Sequence, residues 1–230
     1  MSIDISRWKS LEEEIVTCRR CPRLVEWREE VARTRRRAYR DQVYWGKPVP
    51  GFGDLGGRVL VVGLAPGAHG SNRTGRQFTG DSSGGFLYPA LHQTGFANRP
   101  EAVSRDDGLE LHDLFITSVG RCAPPKNKPV AAELDQCRPF LLAEMELMEN
   151  MQGFVVLGRV AFDSIVKIYR AKGYDIPGLK FAHGACYSLG EGLPWLIASF
   201  HPSRQNTQTG RLTFEQFKQV WKMAREKLTA

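Results

Sequence analysis

The sequence has no run of 18 apolar residues, which excludes an ordinary membrane-spanning helix. Met1 to Leu11 mixes charged and apolar residues without an apolar core, so no secretory leader is expected. Cysteine is scarce and odd in number, five in 230 residues. In a chain expected to stay inside the cell, that argues against a disulfide framework. No internal repeat or low-complexity linker is present, which removes rods, collagen-like chains and wholesale disorder. The sequence also lacks a G-x-x-x-x-G-K-[ST] phosphate loop, which disfavours a nucleotidase or kinase.

What is present is enough apolar material for a packed core, 42% of residues, and a surplus of positive charge, +7. A basic balance biases a protein toward polyanions. The densest basic run is Arg33, Arg35, Arg36, Arg37 and Arg40. It reads either as a solvated helix face or as a set of phosphate contacts.

Short apolar runs at Arg58 to Leu64, Leu114 to Val119, Phe154 to Leu157 and Trp195 to Phe200 have the β-branched character of buried strands. Helical patterns lie near 84–94, 130–150, 159–171 and 212–228, with a further helix over 7–33 broken near Pro22. Strands alternating with helices imply an α/β fold. The expectation is a three-layer α/β/α sandwich with a central, mainly parallel four-stranded sheet, one domain over residues 1–230. Ligands of open parallel sheets bind beyond the carboxyl ends of the strands. Three polar segments follow the strand runs directly, at 63–81, 118–128 and 201–211, and should meet at one rim.

Four cysteines sit in polar, Pro- and Arg-rich surroundings: Cys18 and Cys21 two residues apart, Cys122 and Cys137 around a Pro-rich loop. Thiolates in this arrangement suit zinc or a [4Fe–4S] cluster, and ligand type alone does not choose. Cys186 stands apart and reads as a packed thiol.

The segment G-L-A-P-G-A-H-G-S-N-R-T-G-R-Q-F-T-G-D at 63–81 resembles motif 1 of the uracil-DNA glycosylase superfamily. H-P-S-R-Q-N-T-Q-T-G-R-L-T at 201–213 resembles its motif 2. The four cysteines resemble those of the cluster-bearing families 4 and 5. The resemblance runs from about Thr17 to the C-terminal helix and is nearest to family 5, also called UDGb. Leu64 stands where the family 4 pattern has an acidic residue, and Ser118 where the most uracil-selective enzymes carry an Asn. Both departures are typical of family 5, whose members act on a broad range of deaminated bases.

This resemblance implies a monofunctional DNA glycosylase that flips uracil, hypoxanthine or xanthine out of double-stranded DNA, hydrolyses the N-glycosidic bond and leaves an abasic site. It implies a structural [4Fe–4S] cluster on Cys18, Cys21, Cys122 and Cys137, with no catalytic metal. A monomer is expected, cytoplasmic and nucleoid-associated when on DNA. The competing reading is a non-catalytic iron–sulfur or zinc protein that binds nucleic acid.

Asp81, the sole carboxylate of segment 63–81, is the candidate for positioning water and stabilising the sugar cation. It also suits a helix N-cap. His201 resembles the residue that stabilises charge on the departing base. Phe78 reads as a stacking platform or as a core anchor. Gly67, Ala68 and Ser118 are expected to line the base pocket, and His69 to reach the sugar, a phosphate or a nearby carbonyl. Lys126, Lys128, Ser203, Arg204, Gln205 and Asn206 are the expected DNA contacts, with Asn127, Thr207 and Gln208 beside them.

Overall fold

The four apolar runs form the centre of one sheet in a computed structural model that describes residues 3–176 and 178–229. They are β2 (Val59–Gly63), β3 (Leu114–Ser118), β4 (Gly153–Leu157) and β6 (Trp195–Ser199), following a two-residue β1 (Phe52–Gly53) and flanking a short β5 (Cys186–Ser188). The order is β1-β3-β2-β4-β6-β5. The four inner strands are parallel, and β1 and β5 close the two edges antiparallel. The expected four-stranded parallel sheet is therefore the core of a six-stranded one.

Two apolar layers follow from the strand alternation. Val59, Val61, Ile116, Val155 and Ile197 pack on one face against α4 (Gly84–Gln93) and α8 (Phe214–Thr229), with Trp221 and Phe217 fully buried. Leu60, Val62, Phe154, Val156 and Leu196 pack on the other against α5 (Ala131–Leu147) and α6 (Arg159–Ala171). On that side α1 (Ile5–Thr17) lays Trp8 on Phe115, and α2 (Pro22–Thr34) starts at Cys21 with Pro22 in its first turn.

The register levels the carboxyl ends of the strands. Gly63 is opposite Ser118, and Leu157 is opposite Ser199. Strand order reverses between β2 and β4, the place where open parallel sheets open a crevice. Segments 63–81 and 118–128 are bonded directly there: Val119 N donates to Gly63 O at 3.0 Å and Gly120 N to Leu64 O at 2.9 Å. Just below, Arg121 and Glu144, each 1% exposed, form a two-pronged ion pair joined by Thr117 Oγ1 at 2.6 Å. This pair fixes α5 to the end of β3, and so fixes where Cys122 and Cys137 lie.

Cys186 departs from the expectation of a packed thiol. It is exposed, because it lies on edge strand β5 where alternate side chains face solvent.

Candidate active site

Segment 63–81 leaves β2 and winds into the single turn α3 (Ser71–Thr74). Backbone bonds close it, from Asn72 N to Gly67 O at 3.0 Å and from Arg73 N to Gly70 O at 2.9 Å. Arg73 ties the segment's two halves together. Its Nε donates to His69 O at 2.8 Å and its NH2 to Gly80 O at 2.7 Å, while the guanidinium lies 4.1 Å over the Tyr39 ring.

The two oxygens of Asp81 have different surroundings, one at the start of a helix and the other over the turn. Oδ1 accepts from Ser83 N at 3.0 Å and Gly84 N at 3.1 Å, at the entrance to α4. Oδ2 lies over the turn. A Cβ on Gly67 would come within 2.9 Å of it, and one on Gly70 within 2.0 Å. Glycine at these two positions is thus required for the carboxylate to sit there. Burial pushes the Asp81 carboxyl above the ordinary aspartate range, opposed by the Gly84 and Ser83 amides and by the charge of Arg73.

Across the rim, His201 follows β6. Its ring faces Phe78, with centroids 5.8 Å apart and planes tilted by 30°. Phe78 lies three residues before Asp81, so it links the two candidate catalytic side chains. Its φ of +50° is costly for a bulky side chain, and its ring is buried in the core against Gly63. A base held between two rings needs about 7 Å, twice a contact of about 3.5 Å. Phe78 and His201 therefore do not sandwich a base between them.

Burial pushes the His201 imidazole down to about 4, so it is neutral at pH 7. Asn206 Nδ2 donates to the His201 carbonyl at 2.8 Å, and His183 Nδ1 accepts from Phe200 N at 3.2 Å. Both bonds fix the backbone that carries the ring. The other expected pocket residues are already partnered. Ser118 Oγ donates to Gly120 O at 2.8 Å and accepts from the buried Gln77 amide at 3.1 Å. His69 Nδ1 lies 3.1 Å from Tyr44 Oη, and burial, then Arg36 and Arg73, push its imidazole down.

Cys18, Cys21, Cys122 and Cys137 line one cavity with Arg28 and Arg121. Among the described residues, no group of three or more His, Cys, Asp or Glu is arranged to hold a metal ion. The surroundings do suit an anionic, thiolate-held group. Arg28, 2% exposed, donates to Cys122 Sγ at 2.9 Å, and its buried Nε has no partner. Burial pushes the Cys122 thiol up to about 12, against the pull of Arg28.

A model of the uracil DNA glycosylase superfamily matches residues 50–225, most of the chain and all of the rim. A type-5 uracil-DNA glycosylase of Thermus thermophilus is 51% identical over 208 residues, 90% of this chain and 92% of that protein. A type-5 enzyme of Pyrobaculum aerophilum is 46% identical, over 91% of this chain and 88% of its own length. A type-4 enzyme of the same organism reaches only 27% over 78% of this chain. The chain belongs to the type-5 uracil-DNA glycosylases.

In this type-5 chain the expected DNA contacts fall on two projections of the rim. Lys126 and Lys128 are exposed, and Lys126 and Asn127 have positive φ in a tight turn after Cys122. Ser203 caps the short helix α7 (Arg204–Gln208), accepting from Asn206 N at 3.4 Å, and Arg204 and Gln205 stand out into solvent. Asn206 differs from these, since its amide is used inward. Three residues of the site carried no sequence signal: Arg73, Gln77 and His183. Each acts through backbone carbonyls, amides or a neighbouring hydroxyl that only the fold brings near. No helix among the described residues is long and apolar enough to cross a membrane.

Proposed function

We propose that this chain hydrolyses the N-glycosidic bond of uracil, and of other deaminated bases, in double-stranded DNA, with the nucleotide flipped out of the helix. The observation that carries the reading is Asp81, its Oδ2 held over the Gly67–Gly70 turn on the same rim as His201 and Phe78. As the bond breaks, the sugar gains positive charge and the base negative charge. The Asp81 carboxylate faces the first and orients water; the neutral His201 ring donates to the second. Phe78 offers a π-face, which tolerates several bases. Leu64 cannot orient water, so this work falls to Asp81.

Cys18, Cys21, Cys122 and Cys137 would hold a [4Fe–4S] cluster, with Arg28 as the buried counter-charge to its thiolates. Hydrolysis transfers no electron, so a cluster bound there would serve as structure, and its four cysteines would join the ends of α1 and α2 to α5 and the 118–128 loop.

A duplex with one uracil, incubated with the protein and a chelator, should become cleavable by mild alkali at that position. Hypoxanthine and xanthine duplexes should follow. No release from any of the three would overturn the reading. The aerobically purified protein should be brown, with broad visible absorption and about four iron atoms per chain. A colourless protein carrying one zinc instead would remove the cluster and leave the hydrolysis intact.

A further inference from the structure

Only one of the five arginines at 33–40 belongs to an α-helix. Thr34 ends α2, and Arg35 turns the chain with a φ of +53°. Residues Arg37–Tyr39 form a single tight turn. The reading of this run as a solvated helix face therefore fails. Arg33 pairs with Glu30, and Arg35 NH1 donates to Arg40 O at 2.8 Å. The guanidinium groups of Arg36, Arg37 and Arg40 are exposed and have no hydrogen-bond or ion-pair partner among the described residues. Three like charges within five residues repel one another.

The stretch is fixed to the candidate active site rather than free of it. Arg73, which joins the halves of segment 63–81, stacks on Tyr39 and donates to Gln42. Arg36 N donates to Tyr44 Oη at 3.3 Å, and the same oxygen meets His69 Nδ1 at 3.1 Å. Trp45 N and Gly46 N donate to Arg73 O at 2.9 Å and Asn72 O at 3.0 Å. Residues 39–46 thus form a strap against the Gly67–Thr74 turn, with the unpaired arginines at its outer end.

We propose that Arg36, Arg37 and Arg40 bind consecutive phosphates of the DNA strand that carries the extruded nucleotide. The proposal rests on the glycosylase reading and adds a contact surface to it. A duplex presents closely spaced negative charges, which relieve three adjacent cations at once. Through Tyr44 and Arg73 the bound strand would be registered against His69 and the Asp81 turn.

The test replaces all three, Arg36→Ala, Arg37→Ala and Arg40→Ala, in the full chain. A control replaces Lys172, Lys222 and Lys227, exposed residues at the end of α6 and in the second half of α8, by alanine. Fluorescence anisotropy reports binding to a labelled undamaged duplex and to a uracil duplex over a salt series. The arginine variant should bind at least tenfold more weakly, with the log–log salt slope reduced by about 2 to 3, since each phosphate contact contributes about 0.9. The control should change the slope by less than 1. None of the three arginine side chains is packed, so the melting temperature should stay within about 2 °C. Wild-type slope and affinity in the arginine variant, or the same loss in the control, overturn the proposal. Duplex binding without base release would instead overturn the glycosylase reading, and the two failures are separable in one series.

Discussion

Asp81→Asn is expected to slow single-turnover release of uracil by about a hundred- to a thousandfold, the cost typical of removing one preorganised electrostatic group. The substitution is nearly isosteric. The Asn carbonyl oxygen still accepts from Ser83 N and Gly84 N, so the entrance to α4 is kept. What disappears is the charge at Oδ2, over Gly67 and Gly70. Stability gives the independent readout. The Asp81 carboxyl is held above its ordinary value, first by burial, so the folded protein binds this proton more tightly than the unfolded chain does. Its stabilising contribution is present at low pH and lost as pH rises through the raised value. In its ionised form Asp81 therefore costs stability. Asp81→Asn should melt no lower than wild type at pH 7, and somewhat higher if the cap is fully preserved. A rate within threefold of wild type would remove Asp81 from the chemistry. A large fall in melting temperature would mean that the residue is a cap and little else.

Most of the fold was legible because the four inner strands are mainly apolar and bounded by Gly, Pro or polar loops. Pattern alone cannot find β1 and β5. Two and three residues long, partly exposed and without apolar alternation, they are strands only because an edge of the sheet lies beside them. The site divides in the same way. Asp81 and His201 could be singled out as rare residue types in rim segments. The competition between capping and catalysis at Asp81 could not be resolved from sequence, since it turns on which oxygen points where. Ser118 was legible as a strand end, but not its hydroxyl's use by Gln77 and Gly120. Arg73 and Arg28 looked like two more positive charges in a basic chain. Burial among carbonyls and a thiol gives them their roles, and burial is a tertiary property.

His201→Ala should slow uracil release about a hundred- to a thousandfold, equivalent to about 2.7–4 kcal/mol, if its ring donates to the departing base. The protonation state sharpens the test. With burial pushing the imidazole down to about 4, His201 enters the reaction neutral, as a hydrogen-bond donor rather than as an acid. His201→Gln keeps a neutral N–H donor and should recover a measurable part of the loss. The wild-type rate should show no limb near pH 6.5 that His201→Gln abolishes. Equal loss in both variants, or such a limb, would replace the neutral donor with a cationic one. The same burial predicts a stability signature. Between an unfolded value of 6.5 and a folded value of about 4, the unfolded chain binds a proton that the native ring refuses. Stability is therefore full above pH 6.5 and falls as pH drops toward 4, by on the order of 3 kcal/mol. Urea melts at pH 7.5 and pH 5 should show wild type losing more over this interval than His201→Gln, which has nothing to protonate. A parallel loss in the two proteins would mean that the ring is hydrated in the native state, and a hydrated ring is a much weaker donor to a developing anion.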